Sequence, residues 1–209
     1  MSLISVHENC VKCGICVKSC PINVLTMSKS GPAVFPQRAA GCIGCGHCVS
    51  ICPKGAFDNE KNPLSKQVKL KKFPVLDEQE AHDFLRSRRS IRNYKNQLVE
   101  KEKIEKLINI ARYAQTGGNT QGVSYTVVQG FEKIKELSTL VIDWMDETLK
   151  KNEGASRFGQ YAPIVPNLIQ GFREYQFDII MRSAPAAIIG AFPKDHPSGK
   201  ENVYFGLTY

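Results

Sequence analysis

From residue 77 onward the apolar positions alternate between helical and strand spacing, the pattern of an αβ domain. Asp77 is placed to cap a helix running through Glu80 and Phe84 towards Arg86. Ile104, Leu107, Ile108 and Ala111 recur at helical spacing and form one face, with Glu102 and Lys106 as an i,i+4 pair opposite it. Ser124 to Gln129 (SYTVVQ) is short and β-rich, so it reads as a strand. Ile134, Leu137, Val141 and Met145 mark a further helix ending near Lys150. Residues 154–166 are punctuated by Gly and Pro and read as a long loop. Ala186 to Ala191 (AAIIGA) reads as a buried strand, and residues 201–209 as the first turns of a helix. Upstream, VLTMSKSGPAVFPQ suggests two short strands around a Ser30-Gly31-Pro32 turn.

Between these halves lies a basic stretch, residues 59–76. Pro63 and Pro74 bracket it, and it holds Lys61, Lys66, Lys69, Lys71 and Lys72. It reads as a solvated connector, with a docking strip for an acidic redox partner as the sharper alternative. The organisation expected is therefore residues 1–58, a linker over 59–76, and a second domain over 77–209.

Composition narrows the class. The chain has 209 residues, 42% hydrophobic and 23% charged, which suits a folded globular protein. No stretch of eighteen apolar residues predicts a membrane span, and the first residues show no secretory pattern. Net charge is +8, with the excess spread over both halves. Spread in this way, the basic balance is weak support for nucleic acid.

The eight cysteines all fall between Cys10 and Cys52. A disulfide scaffold suits a small secreted chain, whereas thiolate ligation in a reducing compartment, the cytoplasm, suits this one. They form an internal repeat. Cys10, Cys13, Cys16 and Cys20-Pro21 follow the spacing C-x2-C-x2-C-x3-C-P, and Cys42, Cys45, Cys48 and Cys52-Pro53 repeat it. Two-residue gaps let three thiolates converge from one tight loop, while the fourth points to the other cluster. That assigns Cys10, Cys13, Cys16 and Cys52 to one 4Fe–4S cluster and Cys20, Cys42, Cys45 and Cys48 to the second. Zinc knuckles share the paired cysteines but do not explain the completion x3-C-P occurring twice. His47 reads as a neighbour of the ligands, not a ligand. This segment resembles a bacterial-type ferredoxin with two 4Fe–4S clusters.

A second signal is Ser87-Arg88-Arg89-Ser90-Ile91-Arg92-Asn93-Tyr94, in which three arginines and a serine fall within five residues. Guanidinium groups are forked, permanent donors for phosphate oxygens. On its own, such a helix end reads as a solvated face. Further on, after an amphipathic helix and before a strand, comes Thr116-Gly117-Gly118-Asn119-Thr120-Gln121. Its glycines allow close backbone approach, and its amides match a flavin edge or ribityl chain.

The order RRSIRNY, helix, TGGNTQ, strand is similar to that of the nitroreductase-like FMN flavoproteins. With the ferredoxin-like segment it forms a known fusion. The resemblance implies an α+β fold, a small two-cluster domain followed by a flavin domain, and a homodimer with FMN at its interface. By motif match it implies that Arg88, Arg89, Ser90 and Arg92 hold the phosphate and ribityl end. Thr116, Gly117, Asn119 and Gln121 would line the flavin. Relatives place Gln-Pro where this chain has Gln121-Gly122. They also continue beyond the helix at residues 201–209, so the flavin domain is expected to be C-terminally incomplete.

The reading is an FMN-dependent oxidoreductase that passes electrons from two 4Fe–4S clusters through FMN to a small organic acceptor: a nitroaromatic, a quinone or an activated alkene. NAD(P)H or a redox protein would be the external donor. No catalytic acid–base side chain, nucleic acid or membrane is expected. The alternative is a ferredoxin-type electron carrier whose second domain docks or dimerises without flavin.

Overall fold

The structure is a computed structural model and describes residues 2–70 and 72–209. Chain contacts divide it into two units. The first holds the residues up to Gln79 together with Gly117–Thr120; the second holds Glu80–Thr116 and Gln121–Tyr209. Mixed helices and strands make the fold α+β.

The first unit is built twice over. β1 (Ile4–Val6) pairs antiparallel with β4 (Phe57–Asn59), and β2 (Leu25–Ser28) with β3 (Gly31–Val34). Ser28 pairs with Gly31, so the hairpin turns at Lys29-Ser30, one step earlier than the glycine–proline pair suggests. Two single-turn helices, α1 (Ile15–Lys18) and α2 (His47–Ser50), follow the related glycines Gly14 and Gly46. Ile4, Cys16, Leu25, Cys48, Val49 and Phe57 form its core. The buried cysteines Cys16 and Cys48 are part of its packing.

Within the stretch read as a solvated connector, Lys61, Asn62 and Leu64 hydrogen-bond to this unit. Asn62 closes a turn by donating its N–H to the Asn59 carbonyl at 3.1 Å. The Asp58 carboxylate accepts the Leu64 N–H at 2.7 Å, ahead of a short 3-10 turn over Leu64–Lys66. Polar side chains here are used for backbone closure, which composition alone reads as solvation. Lys71 lies outside the described residues.

In the second unit, α3 (Glu78–Ser87) is followed by an extended, exposed stretch, then by α4 (Lys101–Ala111). Ile104 and Ala111 of α4 are buried, while Leu107 stays exposed. Its ion pairs are Lys101–Glu105 and Lys103–Glu100, shifted from the expected Glu102–Lys106 pair. β5 (Ser124–Gln129) and β6 (Ala186–Ala191) pair antiparallel over six residues. Among the described residues this sheet has two strands, and β6 is half-buried.

The twenty-residue α5 (Phe131–Lys150) carries the main packing seam. Ile142 of α5 meets Val165 and Ile169 of α7 (Val165–Tyr175), with Phe158 and Phe172 against them. Arg173 of α7 bridges Asp143 and Asp146 of α5 at 2.9 Å each. Residues 154–166 are therefore not a loop. α6 (Gly154–Phe158), a 3-10 turn over Gly159–Ile164 and the start of α7 occupy them. Gly154 and Gly159 begin elements, and Pro166 sits in the first turn of α7, where its missing N–H costs nothing. α8 (Gly199–Thr208) closes the second unit. Among the described residues, no helix is long and apolar enough to cross a membrane.

Candidate functional site

The eight cysteines are all free thiols, and they frame two cavities. One is lined by Cys10, Cys13 and Cys16 from the first run and by Cys52 from the second. The other is lined by Cys42, Cys45 and Cys48 together with Cys20. Each run thus supplies three thiols to one cavity and sends its last across to the other. Among the described residues, no group of three or more His, Cys, Asp or Glu side chains forms a site for a single metal ion.

Local structure explains the crossing. After Gly14 and Gly46 the chain makes one helical turn, with Lys18 and Ser50 donating back to the glycine carbonyls at 3.1 and 2.9 Å. That turn carries Cys20 and Cys52 away from their own runs. Each is then fixed by a backbone N–H: Val24 donates to Cys20 Sγ at 3.3 Å, and Ala56 to Cys52 Sγ at 3.2 Å. Gly46 is needed at its position for two reasons. Its φ of +74° is left-handed, and a Cβ there would stand 2.5 Å from Asn62 Nδ2.

Burial raises the Cys16 thiol pKa above its ordinary value, and the backbone N–H groups of Val17 and Cys16 partly oppose the rise. Cys48 is pushed up to about 11, first by burial and then by the neighbouring Cys45, against the Val49 N–H. Four crowded thiols resist ionising together, so a ligand set of this kind calls for a cationic core to balance it. Four soft donors around a cavity fit an iron–sulfur cluster.

In the second unit a cavity of about 310 Å³ is lined by Arg112, Tyr113, Thr116, Gln121, Tyr125 and Gly206, with Ala111, Ala114 and Val123. The Gln121 N–H donates to Thr116 Oγ1 at 3.1 Å and holds the two ends of the TGGNTQ segment together. Burial raises the Tyr125 phenol pKa. Gly206 is in the interior of α8, and a Cβ there would run into the Tyr125 hydroxyl. A second cavity of about 320 Å³ shares Ala111, Tyr125 and Gly206, and is completed by apolar residues including Ile188 and Leu207.

The expected flavin residues are not all brought together. Thr116 and Gln121 line the cavity. Gly117 and Asn119 fall in the first unit, where Asn119 Nδ2 donates to the Ile43 carbonyl at 2.9 Å. Arg88, Arg89, Ser90 and Arg92 lie on the exposed stretch after α3, outside the cavity lining. Neighbouring carbonyls take the guanidinium donors: Arg89 bonds to Arg86 and Arg88, and Arg92 to Ser90. Arg112, Tyr113, Tyr125 and Gly206 were not expected. Only Gly206, a poor helix former within a helix, carried a signal in the sequence.

These features define a module with two cysteine-lined cavities, followed by an α+β domain with a cavity of mixed polar and apolar lining. The 4Fe-4S dicluster domain model matches residues 9–57. The Nitroreductase family model matches residues 85–204, more than half of the chain, and the chain belongs to that family.

Solved structures with similarity include a BluB-like flavoprotein from Clostridium difficile 630, at 19% identity over 62% of this chain and 66% of that one, TM-score 0.42. Another is oxidized iodotyrosine deiodinase bound to FMN and 3-iodo-L-tyrosine, at 18% identity, 61% and 65% coverage, TM-score 0.41. A third, described as an NADH oxidase from Clostridium acetobutylicum, shows 29% identity, 61% and 63% coverage, TM-score 0.30. The chain spans just under two thirds of the length of each. No curated protein matches it.

Proposed function

We propose that the chain is an iron–sulfur flavoprotein oxidoreductase, carrying electrons from two 4Fe–4S clusters through FMN to a small organic acceptor. The observation that supports it most directly is the exchange of the fourth cysteine between two runs, which rings each of two cavities with four thiols. Cys10, Cys13, Cys16 and Cys52 would hold one cluster, and Cys20, Cys42, Cys45 and Cys48 the other. Val24 and Ala56 orient the crossing thiols and stabilise negative charge on their sulfurs. Ile4, Leu25, Val49 and Phe57 pack around the cysteines and limit water near them. When bound, the clusters supply one-electron transfer, and FMN couples single electrons to two-electron chemistry.

For the flavin, Thr116 and Gln121 offer a hydroxyl and a carboxamide, and Arg112 a cation, at one polar cavity. That donor set fits the ribityl and phosphate end of a flavin nucleotide. Arg88, Arg89, Ser90 and Arg92 would complete the phosphate end in a homodimer, with Gly117 and Asn119 at the ring. The dimer reading is supported by exposed apolar residues on α3 and on the stretch after it that carries the arginines: Phe84 and Leu85 on the helix, Ile91 and Leu98 beyond it. NAD(P)H or a redox protein would be the donor; a nitroaromatic, quinone or activated alkene would be the acceptor.

One observation favours the second reading, a ferredoxin-type carrier without flavin: the arginine stretch and the polar cavity do not share a site in the single chain. Anaerobic purification with iron, sulfide and flavin counts separates the two. About eight irons and one FMN per chain support the oxidoreductase. Eight irons and no flavin, even after FMN is added, leave the carrier.

A further inference from the structure

The two cysteine cavities are related by the sequence repeat, yet their polar surroundings differ. Both receive a backbone N–H on the crossing thiol, from Val24 and from Ala56. A lysine accompanies each: Lys54 lines the first cavity, and Lys61 Nζ donates to the Cys42 carbonyl beside the second at 2.6 Å. The difference is Asn59. Among the described residues it is the one side chain that donates to a cysteine sulfur, with Nδ2 at 3.8 Å from Cys42 Sγ. It is 5% exposed.

The orientation of that carboxamide follows from its other end. Asn59 Oδ1 accepts the Lys61 N–H at 2.9 Å, so the NH2 end faces the sulfur. Asn62 repeats the device one turn on: Oδ1 accepts from Gln67 Nε2 at 2.7 Å, while Nδ2 donates to the Gly44 carbonyl at 3.3 Å. Against the related loop, the residue opposite Gly14 is Met27, whose thioether has no proton to donate; a Cβ on Gly14 would stand 3.7 Å from its sulfur. An N–H bond to cluster sulfur stabilises the reduced, more negative state and raises the potential.

We propose that Asn59 tunes the second cavity, so that the cluster of Cys20, Cys42, Cys45 and Cys48 has the higher reduction potential of the two. An electron entering at the Cys10 cluster then settles on the Cys42 cluster. The inference rests on the cluster reading above. Asn59 acts through Cys42 and is a positioning residue.

The test is a redox titration of the anaerobic holoprotein followed by electron paramagnetic resonance, after iron and sulfide have been counted. Asn59→Leu keeps the size and removes the donor. The higher of two waves should move negative by a tenfold change in the one-electron equilibrium, about 59 mV, with the lower wave unmoved. Asn59→Asp keeps the acceptor for Lys61 and should move the same wave further; it carries the test if the leucine variant loses iron. In a Cys13→Ser background the wave that remains should be the one that moves. Full iron with both waves unmoved, both moving equally, or the other wave moving would overturn the proposal. A wild-type protein without iron and sulfide would overturn the cluster reading instead.

Discussion

The N–H of Val24 donates to the Cys20 sulfur at 3.3 Å, and the same bond recurs between Ala56 and Cys52 at 3.2 Å. Each bond anchors the last thiol of one run at the cavity framed by the other run. The halves of the cysteine segment are thereby interlocked, and damage to one run should be felt at both cavities.

Cys16→Ser and Cys52→Ser, though far apart in sequence, should each remove about half of the iron, because they serve one cluster. The double variant should lose no more than either single one. Iron and sulfide analysis of the three purified proteins checks this. Loss of nearly all iron in the double variant alone would assign the two residues to different clusters.

Gly46→Ala should weaken the first unit by about 1–2 kcal/mol through the left-handed backbone alone, and further through the contact with Asn62. Anaerobic denaturation followed by cluster absorbance reads the loss. Unchanged stability and full iron would show that the loop shifts freely, against the geometry described.

Gly206→Ala should improve the helix propensity of α8 by about 1 kcal/mol, yet it drives a methyl group into the Tyr125 hydroxyl. The expected result is loss of flavin retention, recovered in part when Tyr125→Phe is added. If the single variant retains flavin normally, this cavity is not where the flavin sits.

Arg92→Ala should lower FMN retention and leave the iron count unchanged. The residue is exposed, and among the described residues its bond is to the nearby Ser90 carbonyl, so folding should be unaffected. Full flavin with reduced iron would reverse the assignment of this stretch.

Much of the fold was legible before the structure. β5 and β6 have the bounds of the two runs read as strands, α4 and α5 lie where apolar spacing put them, and α3 and α8 overlap the stretches read as helix. Errors arose where a residue type has two uses. Glycine and proline over 154–166 read as loop punctuation, but Gly154, Gly159 and Pro166 sit at helix starts and Pro163 lies within a 3-10 turn. Trp144 packs edge-on against Phe158, with ring centroids 5.5 Å apart.

The candidate site divides along the same line. Cysteine spacing is local information, since three thiols two residues apart must share one loop, and it was sufficient to propose both ligand sets. The order of the arginine stretch, helix and TGGNTQ segment was sufficient to identify the family, which the family match bears out. Tertiary structure alone decided what surrounds those residues. That Asn59, Lys61 and Asn62 turn back onto the Cys42 loop depends on a chain reversal that composition reads as a solvated linker. That Arg112, Tyr125 and Gly206 share a cavity with Thr116 and Gln121 depends on α8 returning beside β5. Spacing along the chain specifies groups held by one short loop. Groups that meet through packing of distant elements carry no such mark, because their proximity is set by the burial of other residues.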